Sequence, residues 1–176
     1  MRVALFAAVM TILAGPAMAH PHAYVVQQAF MSLGRTQAEI TYRIAPSITQ
    51  GAHIFEHIDA NGDGALDERE AAALATGLLA GTALTVDGAP VKPTFFASVF
   101  PSREAMNAGS GVVEITVRAP LSLPTGAAHA ITLDVTYDGF AKTWFLQPYF
   151  FDDIASPRLE RPRDSGAIRI SLAANS

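Results

Sequence analysis

The chain has no cysteine among its 176 residues. Disulfides and thiolate metal centres are therefore both excluded, and any metal must be held by oxygen or nitrogen. Charge is sparse as well. Asp, Glu, Lys and Arg make up 16% of the residues, with a formal net charge of −4. There is no basic stripe and no Gly-rich phosphate loop, so the sequence gives no footing to nucleic acid or to an anionic lipid surface. Long apolar runs are also missing. The stretch Val3–Ala14 is shorter than the roughly 20 residues that a bilayer span needs.

That short stretch belongs to another pattern. Arg2, the apolar Val3–Ala14 and the small-x-small triplet Ala17-Met18-Ala19 read as a secretory signal with its cleavage site. Residues 1–19 are thus expected to be removed. The mature protein would begin at His20, be periplasmic or secreted, and not span the membrane after cleavage. Export usually brings disulfides. Without them, residues 20–176 must form a single domain that is stable through its core alone.

Most of the mature chain alternates with a period of two. Ala38, Ile40, Tyr42 and Ile44 share one face; Val113, Ile115 and Val117 repeat the pattern. Ile131, Leu133, Val135 and Tyr137 do so again, as do Ile168, Ile170 and Leu172. Such alternation marks strands with one buried and one wet face. Leu84-Thr85-Val86 and Ala89-Pro90-Val91 flank Asp87-Gly88, a pair suited to a two-residue hairpin turn. Residues near 22–31, 91–100 and 141–151 are further strand candidates, and 157–162 reads as an exposed connector. In the last of those candidates Trp144, Phe145, Tyr149, Phe150 and Phe151 are either core or partner surface, and aromatics at that density in an alternating strand are more often core. The fold class expected is mainly β, an Ig-like β-sandwich.

Residues 46–80 break the alternation. Ile54, Phe55 and Ile58 give one short helix its apolar side. Ala71, Leu74, Ala75, Leu78 and Leu79 form a stripe at helical spacing, with Gly81 as the stop. Between them, Asp59–Glu70 matches the twelve-residue calcium loop of an EF-hand. Asp59, Asn61 and Asp63 stand at positions 1, 3 and 5, and Gly64 at position 6 allows the sharp turn. Ala65 offers its carbonyl at position 7, Asp67 acts through water at position 9, and Glu70 closes the shell with two oxygens at position 12. Calcium is the hard, oxygen-seeking ion that this donor set suits. The hand is alone, so the sandwich must support the Leu66 segment that a second hand would ordinarily pair with.

The histidines supply a second set of donors. Cleavage after Ala19 would leave His20 with a free α-amine beside its imidazole, and His22 two residues on. Pro21 lacks the amide nitrogen that a square-planar amino-terminal copper site uses, so other ligands would have to complete any site. His53 and His57 lie one helical turn apart and are candidates for that role with nickel, cobalt, zinc or copper. With Glu56 they also spell His-x-x-Glu-His, an inverted zinc-protease pattern whose Glu would be a general base. The helix is short and runs straight into the calcium loop, which argues against that chemistry. His129 is read as a surface residue.

With these residues in view, the chain resembles a family of exported bacterial proteins known chiefly as a domain of unknown function. Its members are often labelled periplasmic components of uncharacterised ABC-type transport systems. The likeness rests on His20-Pro21-His22, the Asp59–Glu70 loop, Leu84-Thr85-Val86-Asp87-Gly88, the Ala119-Pro120-Leu121 region, and Tyr137-Asp138 before an aromatic-rich strand. It runs over roughly residues 19–151. The acidic loop with the following Val-Asp-Gly is also similar, more loosely, to the extracytoplasmic domain of hydrogenase/urease-accessory nickel permeases. The resemblance implies a periplasmic accessory to transition-metal transport, with an inner-membrane transporter as partner and no established enzymatic activity. The function expected is a non-enzymatic calcium-binding protein. The alternatives are a copper carrier built on the N-terminal histidines and a metallohydrolase using His53, Glu56 and His57.

Overall fold

The structure, a computed structural model, describes residues 24–162 and 166–174. The expected signal segment and the candidate ligands His20 and His22 lie outside them. The chain forms two five-stranded sheets, and the mainly β architecture expected from the alternation is present. The first sheet has the order β5-β6-β2-β1-β8, from Thr94–Val99, Val113–Pro120, Gln37–Pro46, Val25–Leu33 and Phe145–Phe150. The second has the order β4-β3-β7-β10-β9, from Ala89–Val91, Thr82–Val86, His129–Val135, Ile168–Leu172 and Arg158–Glu160. β1 and β8 run parallel, and every other ladder among the described residues is antiparallel.

The period-two faces close on one core. Ile40, Tyr42 and Ile44 from the first sheet and Ile131, Leu133 and Ile170 from the second belong to the same buried cluster. Tyr42 also ties the sheets together, since its hydroxyl meets that of Thr82 at 2.8 Å. Burial pushes this phenol up to about 12, with the Thr82 hydrogen bond acting the other way. The insertion carries the chain from one sheet to the other. β2 ends at Pro46, α1 spans Gly51–Ile58, α2 spans Glu68–Ala80 with Gly81 as its C-cap, and β3 then opens the second sheet. Ile54, Phe55, Ile58, Ala71, Leu74, Ala75 and Leu78 are all buried, as the helical stripes require.

Four expectations need correction. Tyr137 falls beyond the end of β7, and its carbonyl instead accepts the Trp144 indole N–H at 2.6 Å. The stretch read as a connector contains the short edge strand β9. In β8 the inward positions go to Leu146 and Pro148, so Phe145, Tyr149 and Phe151 face outward. Their rings rest on neighbours rather than in the core: Tyr149 lies 5.9 Å from Phe30, and the Arg161 guanidinium lies 5.7 Å from the Phe145 ring.

His129 is the fourth. It is buried, and it anchors the hairpin turn between β3 and β4. Asp87 and Gly88 both have positive φ, at 51° and 81°, the geometry that the Asp-Gly pair predicts. Asp87 accepts the Ala130 N–H at 2.7 Å and meets His129 Nδ1 at 2.8 Å. The other ring nitrogen faces the Pro124 carbonyl oxygen at 3.2 Å. A ring held between two acceptors is satisfied only as imidazolium, because neutral histidine has one N–H to give. The Asp87 bond accordingly raises the His129 pKa, helped by the Pro124 carbonyl, while burial and the Arg35 charge act against it. The Asp87 carboxyl is lowered, first by the Ala130 N–H and then by His129.

These shifts fix a pH window. The stabilisation from His129 is fully present below its unfolded value of about 6.5 and is lost as pH rises through the raised folded value. The contribution of Asp87 is present above about 3.9 and is lost as pH falls through its lowered folded value. Urea denaturation of wild type and His129→Ala should therefore differ more near pH 5.5 than near pH 8.5. An equal difference at both would mean that the ring needs no charge.

Candidate metal centre

The Asp59–Glu70 loop is held between α1 and α2 by its own carboxylates. Each short polar side chain turns back on the backbone: Asn61 Oδ1 accepts the Asp63 N–H at 2.8 Å, and Asp63 Oδ1 accepts the Ala65 N–H at 2.9 Å. Asp59 Oδ2 reaches across to the Gly64 N–H at 3.0 Å. Gly64 stands at φ 84°, where a side chain would be strained, so the glycine at loop position 6 answers to backbone geometry. The end of the loop is tied to its beginning. Buried Glu70 accepts the Asp67 N–H at 3.0 Å through one oxygen and the Asn61 N–H at 3.4 Å through the other.

Asp67 has a role that the loop register did not disclose. It is the N-cap of α2, with Oδ1 accepting the N–H groups of Arg69 at 2.8 Å and Glu70 at 3.0 Å. Together with Glu70 it forms a reciprocal capping box. The Asp-x-x-Glu spacing was the available signal. It fixes the start of α2, and through it the position of Glu70, whether or not an ion is bound.

Asp59 tests whether the residues suit a cation. Its side chain is 1% exposed, and Oδ1 has no hydrogen-bond partner among the described residues. A buried carboxylate oxygen left without a donor costs about 1–3 kcal/mol or more, and a bound cation would remove that cost. With Asn61, Asp63, the Ala65 carbonyl and Glu70 nearby in sequence, the donors are all oxygen and fit a hard ion such as calcium. Among the described residues no three His, Asp or Glu side chains gather at metal-binding spacing. The loop is closed by hydrogen bonds, and a calcium shell here would draw its oxygens inward.

Support for the Asp59–Glu70 loop comes from an element that the sequence did not reveal. The short helix α3, Arg103–Asn107, begins beside the loop. Phe100–Glu104 and loop residues 62–66 line a common cleft of about 580 Å³, and Leu66 is half-buried against the core. Arg103 donates to Asp59 Oδ2 at 3.3 Å, and its guanidinium lies 4.7 Å from the Phe55 ring. No local pattern could have paired residues 44 apart.

Among the described residues, neither His53 nor His57 belongs to a group of three or more metal-ligating side chains. His53 and His57 are both exposed on the outer side of α1. His57 packs edge-on against Phe140, with centroids 5.3 Å apart. His129 is committed to the Asp87 turn. Among the described residues, no helix is long and apolar enough to cross a membrane. Compared with protein-family models, curated proteins and solved structures, the chain matches none.

Proposed function

We propose that this chain is a non-enzymatic calcium-binding domain in which the Asp59–Glu70 loop takes up one ion. The observation that carries the reading is the buried, unpartnered Asp59 Oδ1 at the first position of a loop whose other positions are all in register. Gly64 at positive φ and the Glu70 bridge from the end of the loop to its start support it. The transport-accessory role rests on the family resemblance, and exposed His53 and His57 are the described histidines open to a transition metal.

Calcium acts in this reading as a local staple. Extracellular modules hold the ion with dissociation constants of about 10⁻⁴–10⁻³ M. At ten times that constant the ion contributes about 1.4 kcal/mol, enough to order a loop but not to fold a sandwich. The strands have their own core. Calorimetric titration should give a weak, near 1:1 calcium isotherm. Hydrogen exchange in chelator should rise mainly within residues 46–80 and the adjoining α3. Loss of protection across all the strands would make calcium the support of the whole domain. A flat isotherm would end the reading.

A further inference from the structure

Asp59 is shared. One oxygen has no partner among the described residues, while the other accepts from the Gly64 N–H and from the Arg103 guanidinium. That charge comes from a helix that cannot back away. Ser102 caps α3 by accepting the Ala105 N–H at 3.2 Å, and Met106, fully buried, locks α3 into the core. The Cβ that Gly51 lacks would collide with the Met106 carbonyl, so α1 and α3 are in backbone contact. Arg103 also lies over Phe55, the buried residue of α1 one turn before Asp59.

We propose that Arg103 is a tethered countercharge that sets the calcium affinity of this loop. The inference rests on the calcium reading above and names the residue that tunes it. Without the ion, the guanidinium neutralises a carboxylate that is otherwise removed from water, and so stabilises the empty loop. When calcium arrives, a divalent and a monovalent cation share Asp59, and their repulsion subtracts from binding. Ligand charge count governs affinity in such loops, and one cation held against a ligand oxygen cancels part of that count. Arg103 is a positioning and charge-setting residue, reaching the ion only through Asp59.

The test compares wild type, Arg103→Met and Arg103→Lys. Methionine keeps an apolar stem over Phe55 without the charge, while lysine keeps the charge. Calcium titration at low ionic strength should show Arg103→Met binding about tenfold more tightly than wild type. Arg103→Lys should stay near wild type. Added salt should narrow the gap, because the Arg103 side chain is 43% exposed and its field is partly screened. Thermal melts supply the second readout: Arg103→Met should melt several degrees lower than wild type in chelator and recover in excess calcium. Binding by Arg103→Met that equals or falls below wild type overturns the proposal and leaves the calcium site standing. A variant that stays unfolded with or without calcium also overturns it, since Arg103 would then be purely structural. Absence of binding in all three proteins removes the calcium reading itself.

Discussion

Glu70→Gln should lose calcium binding while α2 keeps its start. Glutamine still offers an acceptor at the third helical position, so the Asp67 N–H stays satisfied and the capping box survives. What disappears is the charge and the second equivalent oxygen with which position 12 closes a calcium shell. The expected loss of affinity is at least about tenfold, which moves a millimolar site out of calorimetric range. Glu70→Ala should lose calcium as well and cost about 0.5–1.5 kcal/mol in calcium-free buffer, because the Asp67 N–H loses its acceptor and the capping box its reciprocal half. Comparing the two variants therefore separates ligation from capping. If Glu70→Gln binds calcium as wild type does, the ion is not held in this loop, and Asp59–Glu70 is a hydrogen-bonded turn between two helices.

The largest loss of stability is expected from Gly51→Ala. Gly51 opens α1, is buried, and donates its N–H to Ser47 at 3.0 Å. Its φ demands nothing unusual, so the constraint is one of space: a methyl group there meets the Met106 carbonyl, which is backbone and cannot rotate aside. Overpacking of this kind costs about 1–3 kcal/mol and sometimes more. At roughly 2–4 °C per kcal/mol for a chain of this size, the melting temperature should fall by about 2–12 °C. Gly77→Ala is the control. There the contact is the Tyr137 ring at 3.2 Å, a side chain that can shift, and alanine gains up to about 1 kcal/mol of helix propensity. A Gly51→Ala protein that melts with wild type would mean that α3 moves freely, and the rigid placement of Arg103 would fall with it.

The contrast between these two sites shows what is local and what is not. The Asp59–Glu70 loop between two helices was legible because its carboxylates and its turn glycine lie within twelve consecutive residues, and Gly64 answers to backbone geometry at its own position. The strands of Ala38–Ile44, Val113–Val117, Ile131–Val135 and Ile168–Leu172 were legible for a similar reason. A period of two assigns each residue to a face before any partner is known. The Asp87-Gly88 turn followed from the two positive φ values that it needs.

Composition misled where two readings share one pattern. Phe145 and Tyr149 of β8 alternate with Leu146, Pro148 and Phe150, and the period does not say which set faces inward. Packing decides it: β8 is an edge strand, paired among the described residues only to β1, and its buried residues are Leu146 and Pro148. His129 looked solitary because its charge partner Asp87, in the turn after β3, meets it only once β3 pairs with β7.

The sequence by itself determined the spacing of the acidic loop, the faces of the strands and the helical stripes that bracket Asp59–Glu70. Each of these is set by sterics and hydrogen bonding over a few residues. Only the tertiary structure decided that β1 and β8 run parallel, that α3 backs the Asp59–Glu70 loop, and that Arg103 holds one oxygen of Asp59 while the other has no partner among the described residues. Those are long-range pairings, and their physical basis is the single core that forces distant segments into contact and leaves a buried carboxylate to find its charge partner wherever the chain returns.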